Sequence, residues 1–180
     1  MHSAPFRRDL WVGLGNPENE YEGTYHNVGR LAFDHFLKEE GASFRREPNG
    51  RFEYLRAPGR IYVRSLVFMN RSGEALRAAL KYFRRTPQDL LVFQDDSDLY
   101  LGDFKVSCGR GAAGHHGLES AIQTLGTKDF CRVRIGIRPE AGRQRPKAEE
   151  FVLRRISRRD EKTLQSVFKA IEKLMVKEAP

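Results

Sequence analysis

Short apolar runs alternate along this chain with stripes of apolar residues at helical spacing, and few folds accommodate that alternation. The runs cover residues 10–14, 52–55, 61–66, 90–93, 104–108 and 131–137, and the stripes lie within 28–36, 75–83, 118–125 and 160–176. Strands that alternate with helices indicate a sheet covered on both faces. Pro58-Gly59 between two of the runs predicts a hairpin, which makes the sheet mixed. We therefore expect residues 1–180 to form a single α/β domain, a twisted mixed sheet with helices on both faces.

The charge balance favours a polyanionic partner. Lysine and arginine outnumber aspartate and glutamate by 32 to 24, which gives a net charge of +8. A basic surface attracts phosphate groups and releases their counterions, so nucleic acid is the partner that this surplus indicates. A merely basic, soluble protein is the alternative interpretation of the same numbers.

Membrane and secreted classes find no support in the sequence. No apolar run approaches the ~20 residues that a membrane-spanning helix needs, and the first residues contain no apolar signal segment. We therefore expect a cytoplasmic protein with no membrane partner. Cys108 and Cys131 are too few and too far apart for a disulfide framework or a zinc site, so we predict two free thiols.

The stretch from Trp11 to Gly29 combines a buried strand, a turn at Gly15-Asn16-Pro17, and a histidine just before a helix. Proteins of the α/β class present functional sites on such loops, at the carboxyl end of the sheet. His26 titrates near neutrality and suits proton abstraction from water, although an ordinary loop histidine is the alternative. Asp95 follows the apolar run 90–93, where a carboxylate can orient one imidazole nitrogen. The chain contains no G-x-S-x-G nucleophile motif.

Five ordered blocks carry a resemblance to a known family. They are G-L-G-N-P-x-x-x-Y-x-x-T-x-H-N-x-G at residues 13–29, Phe68-Met69-Asn70-x-Ser72-Gly73, Asp95-x-x-Asp98-Leu99, Gly114-His115-x-Gly117-Leu118 and Arg132-x-Arg134-Ile135-Gly136-Ile137. Together they resemble bacterial-type peptidyl-tRNA hydrolases over about residues 10–153. The resemblance implies that water activated by a histidine hydrolyses the ester bond of peptidyl-tRNA. It implies a monomer with peptidyl-tRNA as partner, and no cofactor or metal.

The resemblance also assigns roles to individual residues. His26 would be the catalytic base, Asp95 its partner, and Asn16 would help to select substrates with a blocked amino group. The groove for the peptide and the acceptor end of tRNA would be lined by Tyr21, Phe68, Met69, Asn70 and His116. Lys105 and Arg134 would clamp the tRNA 5′-phosphate. For Asn70 a helix cap is an equally good interpretation, and from sequence alone Tyr21 and Phe68 are more often core residues.

The chain departs from the family pattern at two positions beside the expected site. His116 stands where the family usually has asparagine, and Tyr25 replaces the usual arginine before the histidine. A scaffold that only binds RNA is therefore one alternative function. The other is an NAD(P)-linked oxidoreductase, because Gly109 to Gly114 spell G-x-G-x-x-G between a predicted strand and helix. Whether residues 139–155 form a mobile lid stays open at this stage.

Overall fold

The computed structural model describes residues 8–38, 43–139 and 147–177. Its strands are β1 (Leu10–Gly13), β2 (Arg45–Arg46), β3 (Phe52–Ala57), β4 (Arg60–Ser65), β5 (Leu90–Tyr100), β6 (Phe104–Cys108) and β7 (Cys131–Arg138). Its α-helices are α1 (Val28–Phe36), α2 (Ser72–Phe83), α3 (His116–Leu125) and α4 (Arg158–Lys177). Most of the loop before Lys147 lies outside the described residues.

The strands form one mixed sheet in the order β2-β3-β4-β1-β5-β7-β6. The central strands β4, β1, β5 and β7 run parallel, whereas β2, β3 and β6 pair antiparallel with their neighbours. β3 and β4 form the hairpin that Pro58-Gly59 predicts. The expectation of a mixed sheet is confirmed.

Two helices pack on each face of the sheet. Apolar residues of α1 and α4, among them Phe33 and Ile171, pack against one face. Leu76 of α2 and Leu118 of α3 pack against the other. Each helix buries one stripe, and the side chains of β1 and β5 point alternately into the two cores. The helices therefore lie on both faces, as expected.

α1 packs against the backbone of β1 and β5 through its second residue, Gly29. A Cβ atom on Gly29 would lie 2.2 Å from the carbonyl oxygen of Phe93, and one on Gly13 would lie 2.7 Å from the carbonyl oxygen of Gly29. No side chain fits in this contact, so both positions require glycine. The contact holds the start of α1, and the short 3₁₀ turn Tyr25–Asn27 before it, against the ends of β1 and β5.

Two local predictions were wrong. β5 continues to Tyr100 rather than ending at Phe93, because β7 extends past the end of β1 and supplies backbone partners as far as Arg138. Cys108 and Cys131 are joined in a disulfide rather than being free thiols. They lie directly opposite each other in the β6–β7 pair, a proximity that depends on strand register and not on spacing. No helix among the described residues is long and apolar enough to span a membrane.

Candidate active site

His26 and Asp95 are in direct contact where the carboxyl end of β1 meets the extended half of β5. His26 Nδ1 lies 3.0 Å from both carboxylate oxygens of Asp95. A carboxylate can only accept, so Nδ1 carries the proton and Nε2 of the neutral ring keeps its lone pair. No hydrogen bond joins Nε2 to the part of the chain that the structure describes. With its side chain 12% exposed, the ring is shielded but remains accessible to a water molecule.

The surroundings of this pair shift the pKa values of both side chains. Burial by itself lowers the pKa of His26, but the charge and hydrogen bond of Asp95 outweigh it and raise the pKa above its ordinary value. Burial would likewise raise the pKa of Asp95, yet interactions with His26 and His115 hold it well below its usual range. Asp95 is therefore ionised at physiological pH, and its charge can stabilise a protonated imidazole at His26.

His115 is a second imidazole on the same carboxylate. Its Nε2 lies 3.1 Å from Asp95 Oδ1, while its Nδ1 accepts from the backbone N–H groups of Gly117 and Leu118 at the start of α3. Because Nδ1 accepts, Nε2 must carry the proton and donate it to Asp95. His115 lies within one of the sequence motifs, but no role was predicted for it. Its position before an apolar stripe was the available signal of a helix cap.

His26, Asp95 and His115 are also the described residues that come nearest to a metal-binding set, with potential ligand atoms within 4.8 Å of one another. For His115 Nε2 to bind a metal, its proton would have to move to Nδ1. That proton would then face the two backbone N–H groups of α3 and break the cap. The hydrogen bonds therefore favour a hydrogen-bonded triad over a metal centre.

Asn16 is held with its amide group oriented. Its side-chain oxygen accepts a hydrogen bond from the backbone N–H of Met69 at 2.8 Å. The side-chain nitrogen Nδ2 therefore points away from Met69 and remains available as a donor. The side chain of Asn27 bonds both the N–H and the C=O of Asn16, at 2.8 and 3.0 Å. Asn27 is 4% exposed, and the sequence analysis gave it no role. The adjacent histidine-asparagine pair in the motif was the signal that could have found it.

A groove of about 350 Å³ opens beside His26 and Asn16. Its wall includes Phe68, which is 40% exposed, and Asn70, which is exposed as well. Asn70 does not cap α2, because the residue at the cap position is Arg71. The capping interpretation was therefore wrong.

The other predicted groove residues lie in or next to the same groove. Met69 is buried in its floor. Tyr21 packs edge-on against Phe68 with ring centres 6.4 Å apart, so neither aromatic is a core residue as the sequence alone favoured. The exposed ring of Phe68 and the partly buried ring of Tyr21 offer surface on which an unpaired base can stack.

A second cavity of about 400 Å³ lies on another side of His26. It is lined by Asp95, His115 and, from the segment before α4, Lys147 and Val152. His116 lines both this cavity and the groove beside Asn16. Its side chain is 64% exposed and its Nδ1 lies 3.1 Å from Glu119 Oε2. The structure thus brings His116 to the boundary between two open spaces that meet at His26.

Lys105 and Arg134 face each other across the β6–β7 pair. Directly opposed like charges destabilise a sheet, and a bound anion would relieve that repulsion. Arg134 is partly neutralised, since its Nε lies 2.6 Å from Asp96 Oδ2. Asp96 Oδ1 also accepts from the backbone N–H of Asp98 at 2.9 Å, within the irregular second half of β5. Arg134 lines a cavity that shares Asp96 and the glycine-rich loop with the cavity beside His26.

The glycine-rich loop lacks the context of a dinucleotide site. The strand before it, β6, is antiparallel and lies at the edge of the sheet, whereas the fingerprint requires a parallel strand inside a βαβ unit. The guanidinium of Arg132 donates hydrogen bonds to the backbone carbonyl groups of Arg110 and Gly111. The loop therefore presents carbonyl acceptors on the side of Arg132, whereas a pyrophosphate site requires backbone N–H donors. The oxidoreductase alternative therefore has no support in this geometry.

Comparison with known proteins identifies relatives of this chain. A family model described as peptidyl-tRNA hydrolase matches residues 10–178. Over 139 residues the chain is 48% identical to a peptidyl-tRNA hydrolase of Prochlorococcus marinus, an alignment that covers 74% of this chain and 66% of the relative, just under two thirds of its length. It is 40% identical to a peptidyl-tRNA hydrolase of Parasynechococcus marenigrum, with 92% of this chain and 87% of the relative covered.

A solved structure gives the same fold. The crystal structure of peptidyl-tRNA hydrolase from Acinetobacter baumannii superposes with a TM-score of 0.81 at 25% sequence identity. The superposition covers 97% of this chain and 91% of that one.

Proposed function

The chain belongs to the peptidyl-tRNA hydrolase family, and on that premise we propose that it hydrolyses the ester bond between a peptide and tRNA. The products are a free peptide and a tRNA that returns to translation. The observation that carries the proposal is the contact between His26 and Asp95 beside two open cavities, which leaves Nε2 facing accessible space. No cofactor or metal takes part in the proposed reaction. We further propose that residues 1–180 act as one domain, as a cytoplasmic monomer.

In the proposed reaction His26 Nε2 removes a proton from a water molecule as its oxygen attacks the ester carbonyl carbon. The imidazolium that results is stabilised by Asp95, whose lowered pKa keeps it ionised. The tetrahedral intermediate then collapses and the bond from carbon to the ribose oxygen breaks. His26 returns its proton to that oxygen, which leaves a hydroxyl group on the tRNA and a carboxylic acid on the peptide.

We assign stabilisation of the developing oxyanion and recognition of the blocked amino end to Asn16 and Asn70. Both line the groove beside His26, and Asn16 is pre-oriented with Nδ2 as its remaining donor. An amide donor favours the carbonyl of a peptide or acyl group, whereas a free α-ammonium group would be left without an acceptor there. This preference would protect ordinary aminoacyl-tRNA.

We assign binding of the tRNA to the aromatic residues of the groove and to the basic residues Lys105 and Arg134. Tyr21 and Phe68 present rings to unpaired bases of the acceptor end, and His116 borders both cavities at the reacting centre. Lys105 and Arg134 would hold the 5′-phosphate, whose monoester charge exceeds that of a backbone phosphate. The net charge of +8 supports association with a polyanion.

One assay separates hydrolysis from RNA binding alone. The protein is incubated with N-acetyl-aminoacyl-tRNA and, in parallel, with the same aminoacyl-tRNA unblocked, both with chelator present. We expect rapid release of the blocked amino acid only. Binding of both tRNAs without cleavage would instead identify an RNA-binding scaffold.

A further inference from the structure

A short segment before α4 is attached to the turn that carries His26. We call this segment, residues 151–156, the strap. Three backbone hydrogen bonds join it to residues 23–26. Tyr25 N–H donates to Arg154 O at 3.3 Å and Ile156 N–H to Gly23 O at 2.8 Å, and these two bonds form an antiparallel bridge; His26 N–H donates to Val152 O at 2.8 Å. The strap therefore acts as a short strand alongside the catalytic turn.

The side chain of Tyr25 links the turn that carries His26 to α4. Its phenol oxygen lies 2.5 Å from Oδ2 of Asp160 in the first turn of α4, and its ring packs edge-on against Phe151 with centres 6.3 Å apart. Burial and the hydrogen bond to Asp160 raise the pKa of Tyr25 to about 12, so the phenol remains a donor at physiological pH. Tyr25 thus belongs to the turn that carries His26, packs on the strap through Phe151 and bonds to α4 through Asp160.

The strap also forms part of the wall around the reactive imidazole. Val152, whose carbonyl accepts from the His26 backbone, lines the 400 Å³ cavity together with the ring of His26. A displacement of the strap would therefore move the backbone of His26 and admit water to its ring. Displacements of about 1 Å in a catalytic group reduce turnover by up to about a hundredfold.

We propose that Tyr25 is a positioning residue for His26, acting through its hydrogen bond to Asp160, which fixes the strap against the catalytic turn. The proposal rests on the proposed hydrolase function and adds to it a residue that the mechanism above does not use. Tyr25 contacts neither Asp95 nor the groove through any bond described above. Its effect is therefore exerted on geometry and shielding.

The first test is the variant Tyr25→Phe, which removes only the phenol oxygen. We expect kcat with N-acetyl-aminoacyl-tRNA to fall roughly tenfold while KM changes less than about twofold, because substrate contacts are intact. The matched control is Tyr54→Phe, which removes a phenol bonded at 3.2 Å to Tyr82, on the strand and helix away from the strap. An equal loss in both variants, or no loss in Tyr25→Phe, would overturn the proposal.

The second test is a rescue and a double-mutant cycle at Asp160. Asp160→Asn keeps an oxygen acceptor and should retain more activity than Asp160→Ala. Combining Tyr25→Phe with Asp160→Ala should cause no loss beyond that of either single variant, because both remove the same bond. Additive losses would mean that the two side chains act separately, and the proposal would fail.

The third test does not depend on hydrolysis. The imidazole of His26 is titrated by NMR in the wild-type protein and in Tyr25→Phe, while Asp95, which bonds its ring, and His115, which bonds Asp95, are the same in both. The pKa of His26 depends on its burial and on its contact with Asp95, and both change when the strap loosens, so its pKa should shift in Tyr25→Phe. An unchanged titration would contradict the proposal. If the wild-type protein failed to hydrolyse peptidyl-tRNA, this measurement would still decide whether Tyr25 positions His26.

Discussion

His115 donates a hydrogen bond to the same oxygen of Asp95 that His26 contacts, at 3.1 Å and 3.0 Å respectively. The carboxylate is therefore fixed from α3 as well as from the catalytic turn. Since His115 also caps α3, the orientation of Asp95 depends on the start of that helix. His26 and Asp95 are thus part of a hydrogen-bonded network that joins the turn before α1, β5 and the start of α3.

Replacing His26 by alanine should reduce kcat for N-acetyl-aminoacyl-tRNA by roughly 10²–10⁴-fold, the usual contribution of a general base. The affinity for tRNA, measured by filter binding, should change little because no tRNA contact is assigned to this ring. His35→Ala serves as the control, since His35 lies between α1 and α4, where it pairs with Glu172, and lines neither cavity beside His26. Turnover within about twofold of the wild-type value in His26→Ala would refute the assignment.

The pH profile of kcat/KM should have an acid limb above about pH 6.5, the ordinary pKa of histidine. The base must be neutral, and Asp95 raises the pKa of His26, so activity falls as pH drops through that raised value. Asp95→Asn removes the negative charge and should shift the limb to lower pH, together with a large loss of kcat. A limb that stays in place would show that Asp95 does not set the His26 titration.

Charge reversal at Lys105 should raise KM roughly tenfold with a smaller effect on kcat, because a charge-assisted hydrogen bond contributes about 1.5 kcal/mol. The effect should disappear with a substrate tRNA that lacks its 5′-phosphate. Lys128→Glu is the control, since Lys128 is exposed just before β7, away from the cavity that Arg134 lines. Equal effects of the two reversals would argue for general charge attraction rather than a phosphate clamp.

Gly29→Ala should lower the free energy of unfolding by about 1–3 kcal/mol, because the added methyl group meets the backbone of β5. The carbonyl oxygen of Phe93 would lie 2.2 Å from it. Activity should fall more than stability alone explains, since the same contact holds the start of α1 next to His26. Gly111→Ala is the control, as its added Cβ meets nothing within 4 Å. Urea unfolding of both variants measures the difference, and equal stabilities would contradict the packing argument.

The class of fold and most of its elements could be predicted from local sequence patterns. Periodicity is a local property, so the stripes of α2 and α4 and the run of β6 could be located without any tertiary contact. The motif around His26 also drew attention to the loop that contacts Asp95 in the structure. The strand ends were less certain. Whether β5 stops at Phe93 or continues depends on the length of β7, which the residues of β5 do not encode.

Which side chains are in contact depends on the tertiary structure and could not be predicted from local patterns. His26 and Asp95 are 69 residues apart, and their contact depends on β1 lying next to β5. The same is true of the bonds from Asn27 to Asn16, from His115 to Asp95, and from Tyr25 to Asp160. The disulfide, which the sequence analysis predicted as free thiols, depends on register across β6 and β7. Hydrophobic periodicity specifies elements, but partners are fixed by strand order and register, which the whole chain settles together.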